Sequence, residues 1–292
     1  MALLIASFPE VRDIGKKVAR RLGAEYTDIV VREFPDSEFH LALGKNPKNK
    51  TVVIVNSISK DSDEKLIETI LAGGIARDYK AKEVILMATY FPYMRQDRHF
   101  MKYDSFSSKY IVKMFSNFDK IITIDPHLHR IKHINQISKK AISLSTVPLI
   151  AKYIKDKFKD DFTIIGPDEE SFQWSRPVAK LLGKDVIVLK KTRYSDTKVK
   201  VRLDGQKSEF RKHVILIDDI ISTGKTIADT INLAHKNGAK HIVCIGIHGL
   251  LVNNADKLIR KNAELVTTNT IPNKFAKIDV SPLIVDALKK YI

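Results

Sequence analysis

The chain has one cysteine, Cys244, so no disulfide can form within it and a reducing, cytoplasmic setting is expected. No apolar run approaches the ~18 residues of a membrane span, so no membrane partner is expected. There is no cysteine–histidine finger, no aromatic strand of the RNA-binding type and no basic arm. These absences argue against a nucleic-acid partner, although 50 Lys plus Arg against 34 Asp plus Glu leave a formal charge of +16. The basic residues spread along the whole chain, and the denser groups at 45–50 and 152–159 read as a turn and a solvated helix face. A small polyanionic substrate suits such a field equally well. The opening MALLIASFPEVRD lacks a basic stretch before its apolar run, so it reads as a first strand and not as a leader.

What is present is an alternation of short apolar strands with amphipathic stretches, the mark of βαβ units and a largely parallel sheet. Strands are expected at 3–7, 51–58, 83–90 and 120–125, with helices over 10–22, 61–78 and 105–117. The rhythm then repeats, with strands at 162–166, 185–191, 214–218, 241–247 and 264–269. Helices are expected over 147–158, 172–182, 225–237 and 254–262. The 292 residues therefore read as two α/β halves of similar size and element order, 1–145 and 146–292.

The most informative stretch is VILIDDIISTGKT at 214–226. An apolar strand ends in Asp218 and Asp219 at the carboxyl edge of a parallel sheet, where ligands bind. Ser222, Thr223, Gly224, Lys225 and Thr226 then open a helix, whose unpaired N–H groups and positive dipole end suit a phosphate. Two carboxylates would repel that phosphate, so they face sugar hydroxyls or a metal. The nucleotide P-loop also ends in GKT, but it needs a glycine where this chain has Asp219.

This loop resembles the phosphoribosyl-diphosphate loop of type I phosphoribosyltransferases and of ribose-phosphate diphosphokinases, and alone it does not choose between them. Other segments resemble the diphosphokinases. FPYMRQDR at 91–98 follows a strand, and the resemblance implies that Arg95, Gln96 and Asp97 bind ATP. Phe34, Asp36, Ser37 and Glu38 are similar to the family's adenine-reading strand end, where alternation would put 34, 36 and 38 on one side. The family places that segment at a neighbouring subunit's site, which implies a homo-oligomer, at least a dimer, with a shared active site. Asp125-Pro126-His127 resembles the segment whose histidine binds Mg²⁺; a zinc reading of His127, His129 and His133 lacks a clear fourth ligand.

Pro167-Asp168 matches the start of the family's pyrophosphate loop, and Asp168 is the implied oxygen ligand to Mg²⁺. The chain then departs, carrying Glu170 and Ser171 where the family pattern has two glycines. Lys191 and Arg193 resemble the lysine and arginine at the root of a catalytic loop, Arg193 also facing the sugar phosphate. The resemblance implies two type I phosphoribosyltransferase-like domains, each a mainly parallel sheet flanked by helices. It also implies ATP and ribose 5-phosphate as substrates. A base phosphoribosyltransferase would leave the 91–98 segment unused. A non-catalytic regulatory homologue would be favoured if Lys191 or His127 were missing.

Overall fold

The computed structural model describes residues 2–99, 101–128, 130–159, 161–193, 199–203 and 210–292, with backbone alone at 188, 190–193 and 199–203. The chain forms two compact units: Met1–Ser145 with Thr270–Pro272 and Val280–Ile292, and Thr146–Asn269 with Asn273–Asp279.

In the first unit β1 (Leu3–Ser7), β2 (Glu25–Glu33), β3 (Phe39–Leu43), β4 (Thr51–Ser57), β5 (Glu83–Tyr90), β6 (Lys120–Ile124) and β7 (Ala141–Leu144) lie in the order β3-β2-β1-β4-β5-β6-β7. Only the edge pair β2–β3 is antiparallel. Strand β4, TVVIVNS, is buried along its whole length, as expected where a parallel sheet is covered on both faces. Helix α1 (Arg12–Leu22) buries Ile14, Gly15, Val18 and Ala19 and ends at Gly23, whose φ of +61° is open to glycine. Helices α2 (Ser62–Asp78) and α3 (Ser107–Met114) complete the crossovers.

The second unit contains α4 (Val147–Lys157), β8 (Phe162–Gly166), α5 (Phe172–Leu182), β9 (Val186–Arg193), β10 (Val199–Leu203) and β11 (His213–Ile221). It continues with α6 (Lys225–Lys236), β12 (His241–Gly249), α7 (Ala255–Arg260), β13 (Glu264–Thr268) and β14 (Ala276–Ile278). The sheet order β10-β9-β8-β11-β12-β13-β14 repeats that of the first unit, again with one antiparallel edge pair, β9–β10. Alternate residues of the central strands feed two cores. Ile215, Ile217, Val243 and Ile245 pack with Ile150, Ile154, Trp174 and Val178. Val214, Leu216, Ile242 and Cys244 pack with Ile227, Ile231 and Ile259 on the other face. Burial pushes the Cys244 thiol well up, which makes it an inert core residue.

Three departures from the sequence expectation bear on the candidate site and on the division into halves. Residues 34–38 form the β2–β3 hairpin loop, not a strand end: Phe34 N–H donates to Glu38 O at 2.8 Å and Ser37 N–H to Phe34 O at 2.9 Å. Pro35 cannot donate to a ladder and Asp36 accepts from Glu38 N–H at 3.3 Å, so this short segment turns where alternation alone would extend it. The polar stretch after Arg193 contains β10, a strand with little apolar signal. Last, Thr270 O accepts from Ser57 Oγ at 2.9 Å and Thr89 Oγ1 at 2.6 Å, and helix α8 (Ser281–Tyr291) packs against α1. These segments cluster with the first unit, whereas a division at 145/146 counts them in the second half. Among the described residues no helix is long and apolar enough to cross a membrane.

Candidate active site

Open α/β sheets bind ligands outside the carboxyl ends of their strands, where the strand order reverses. In the second unit that point lies between β8 and β11, since the chain leaves β8 for β9 on one side and returns to β11 on the other. Two of the sequence-singled loops flank it.

The loop after β8 carries Asp168. Ser171 N–H donates to Asp168 Oδ1 at 3.0 Å, and Ser171 Oγ donates to Asp168 O at 2.6 Å. Asp168 N–H donates back to Ser171 Oγ at 3.2 Å, and Ser171 is fully buried. The serine thus closes the turn by hydrogen bonds where glycines would leave an open backbone cradle. Gly166 is required for this, because a Cβ there would stand 2.6 Å from Ser171 Oγ. Among the described residues Asp168 Oδ2 has no hydrogen-bond partner, so one oxygen of this half-buried carboxylate is unspent. Glu170 is exposed.

The carboxyl-terminal part of β11 carries the paired acids. The strand continues to Ile221, so both aspartates lie on strand backbone. Asp218 is half-buried and its Oδ1 accepts Asp219 N–H at 3.1 Å; Asp219 is buried and its Oδ1 accepts Ile220 N–H at 2.8 Å. Asp218 therefore offers the more accessible carboxylate, while buried Asp219 is held by the amide of the next strand residue. Gly224 caps α6 with φ +72° and no side-chain cap, leaving the first N–H groups of the helix directed outward. Its absent Cβ matters twice, since one would also meet Ala255 Cβ at 3.1 Å. Thr223 and Lys225 are exposed, and Ser222 and Thr226 half-buried, around that helix start.

Lys191 and Arg193 lie on the last residues of β9, opposite Val201 and Val199 of β10. Val188 pairs with Gly166, so both positions run past the carboxyl end of β8. Their side chains, and residues 194–198 and 204–209 beyond them, lie outside the described residues.

In the first unit the loops after β5 and β6 lie on adjacent strands. Arg95 and Gln96 are exposed, and Arg95 makes no ion pair among the described residues. Gln96 is held from behind: Ser107 Oγ donates to its Oε1, and Ser108 N–H donates to its O at 3.2 Å. Asp97 is buried, and its Oδ2 accepts the backbone N–H of Arg130 at 2.5 Å and of Ile131 at 3.2 Å. That carboxylate ties the Arg95 loop to the segment carrying half-buried His127. Tyr93, at φ +63°, donates to Asp63 Oδ1 at 2.5 Å, and this bond raises its pKa.

Phe34, Asp36, Ser37 and Glu38 are exposed in their hairpin loop, with Arg32 over the Phe34 ring at 5.7 Å. Strands β1 and β4 separate β2 from β5, a gap of about 14 Å at ordinary strand spacing. The hairpin loop and the Arg95 loop therefore issue from well-separated strands of one sheet.

Sequence reading missed the braces: Ser171 on Asp168, Ser107 on Gln96, Tyr93 on Asp63, and the 130–131 amides on Asp97. An Asp followed three residues later by Ser before a helix is a readable turn signal. The other pairs join residues distant in sequence and leave no local trace. Among the described residues no group of three or more His, Cys, Asp or Glu gathers to hold a metal. His129, part of the zinc alternative, lies outside the described residues. An open Asp168 oxygen nonetheless fits Mg²⁺, which is commonly held by one or two carboxylates together with substrate phosphates.

Comparison with known proteins adds two family matches. Residues 3–118 match the family described as the N-terminal domain of ribose phosphate pyrophosphokinase, and residues 133–283 match the phosphoribosyl transferase domain. The ribose-phosphate pyrophosphokinase of Methanopyrus kandleri is 31% identical over 98% of this chain and 99% of its own. That of Sulfurisphaera tokodaii is 27% identical over 97% and 99%. The crystal structure of phosphoribosylpyrophosphate synthetase from Mycobacterium smegmatis shares the fold. Its TM-score is 0.87 at 21% identity, covering 100% of this chain and 99% of that one.

Proposed function

The chain belongs to the ribose-phosphate pyrophosphokinase family, and from that premise we propose how its residues divide the work. The reaction converts ATP and ribose 5-phosphate into AMP and 5-phosphoribosyl 1-diphosphate. The sugar O1 attacks the β-phosphorus, the bond from that phosphorus to the α-phosphate oxygen breaks, and the O1 proton leaves to solvent. The observation that carries the assignment is the pair of loops at the second unit's switch point, one acidic and hydroxyl-gripping, the other presenting Asp168.

The 5-phosphate rests on the helix start at 222–226, and Asp218 with Asp219 accepts from the ribose hydroxyls. Arg95 and Gln96 bind the ATP phosphates, an exposed guanidinium matching phosphate oxygens in a fork. Asp97 positions that loop. Phe34, Asp36, Ser37 and Glu38 read adenine, and the strand separation supports their serving the site of a second copy. Lys191 and Arg193 supply positive charge as the transferred group loosens, since such transfers rest on positioning and electrostatics. Mg²⁺, held through His127 and Asp168, would neutralise phosphate charge when bound. The single buried cysteine supports a cytoplasmic location.

Phosphorus NMR of the protein with ATP, Mg²⁺ and ribose 5-phosphate tests this. AMP formed only with the sugar, with a new anomeric diphosphate signal, is the expected outcome; ADP, or no turnover, defeats it. A base phosphoribosyltransferase would explain the second unit but not the braced Arg95 loop of the first. A non-catalytic homologue would be favoured by loss of His127 or Lys191, and both are present.

A further inference from the structure

The positive charge of the chain is not consumed by the site described above, and part of it surrounds a second cavity. At the opposite, amino-terminal edge of the second sheet, the starts of β11, β12 and β13 and the end of α4 enclose about 420 Å³. Lys157, Lys159 and Lys240 stand on its rim, and all three are exposed. His213 and His241, facing each other across β11 and β12, stack with ring centroids 4.9 Å apart and 19° between planes. Val214, Ile215, Ile242 and Val243 line the interior side.

The local acids are already engaged. Among the described residues Glu264 is the one carboxylate lining the cavity, and it pairs with Lys277 at 2.9 Å. Asp156 pairs with Lys152 at 2.7 Å, and Asp161 with Lys184 at 2.7 Å and Arg211 at 3.0 Å. None of these three carboxylates forms a close ion pair with Lys157, Lys159 or Lys240, although Asp156 also feels the charge of nearby Lys159. A concave site with several converging cations and a partly apolar wall selects a small anion carrying more than one negative charge.

We infer that this cavity is a binding site for a small phosphate-bearing polyanion, separate from the substrate loops at the carboxyl edge of the same sheet. Lysine ammonium groups supply the charge, and the two imidazoles and the Asn262 side chain add hydrogen-bonding groups at fixed positions.

The test uses the full chain with labelled histidines and inorganic triphosphate as the probe, following the His213 and His241 ring signals by NMR. The expected result is a saturable shift of both signals. A Lys157→Ala/Lys240→Ala double variant should move its midpoint by about tenfold or more in concentration, the scale expected for losing two charged contacts. Turnover without the probe should stay unchanged, and Lys180→Ala, an exposed lysine not lining the cavity, should leave the midpoint in place. Unmoved or non-saturating ring signals overturn the inference. So does an equal midpoint in the double variant, or an equal weakening by Lys180→Ala.

Discussion

At the scale of single residues, the site is set by groups that brace others more than by groups that face outward. Asp97 is the clearest case, since the sequence resemblance places it with the ATP-binding residues while the structure turns its carboxylate inward onto two amides. Asp97→Ala strands both N–H groups. A loss of about 1–2 kcal/mol in urea denaturation is expected, the scale of losing part-buried hydrogen bonds to a carboxylate. KM for ATP should rise as the Arg95 loop loses its tether, and Asp97→Asn, which keeps one acceptor oxygen, should sit between the two. Full stability in the alanine variant would remove the bracing role. Ser171 makes a related point at Asp168. Its side chain satisfies the turn's own donors and acceptors, so this loop needs no glycine pair to be a defined shape.

At the scale of elements, the proposed grip on the sugar phosphate depends on how β11 hands over to α6. The handover needs a residue at φ +72° with no side chain against α7, and Gly224 meets both demands. Gly224→Ala is expected to lower stability by about 1–2 kcal/mol, the ordinary cost of a Cβ in the left-handed region. It should also raise KM for ribose 5-phosphate while leaving KM for ATP nearly unchanged. Equal rises in both constants would show that the loop is not specific to the sugar. The corresponding handover in the first unit, from β4 to α2, lacks the paired acids. There Lys65 is held by Glu10 at 2.8 Å and Glu68 at 2.9 Å, and burial pushes the Glu68 carboxyl up. One repeated architecture thus carries paired acids at the switch point of one unit and a lysine-centred ion-pair cluster at that of the other.

At the scale of the whole molecule, the proposed sharing of a site between copies needs a covered surface, and the outward stripe of α2 is a candidate for it. Ile67 and Leu71, one turn apart, are exposed by 46% and 43%, on a helix that also buries Leu66, Ala72 and Ala76 on its inner side. Apolar residues on both sides of a helix point to a second covering surface. Ile67→Glu/Leu71→Glu is therefore expected to shift the sedimenting species toward a monomer and to depress turnover in parallel, if the hairpin of 34–38 serves another copy. A smaller species with full turnover would separate assembly from catalysis.

The sequence by itself determined the α/β class, the doubled element order, the strand-to-helix loop at 214–226 and the family resemblance. Each rests on local signals, namely apolar periodicity and short motifs whose residues must be adjacent to do their chemistry. Only the tertiary structure decided that 34–38 turns back as a hairpin loop, that β10 pairs with β9, and that 270–272 and α8 return to the first unit. It also decided that Asp97 and Ser171 act as braces. The reason is common to all of them: strand pairing, helix packing and burial of a carboxylate depend on partners far away in the chain. Nothing in the residue types at those positions names the partner.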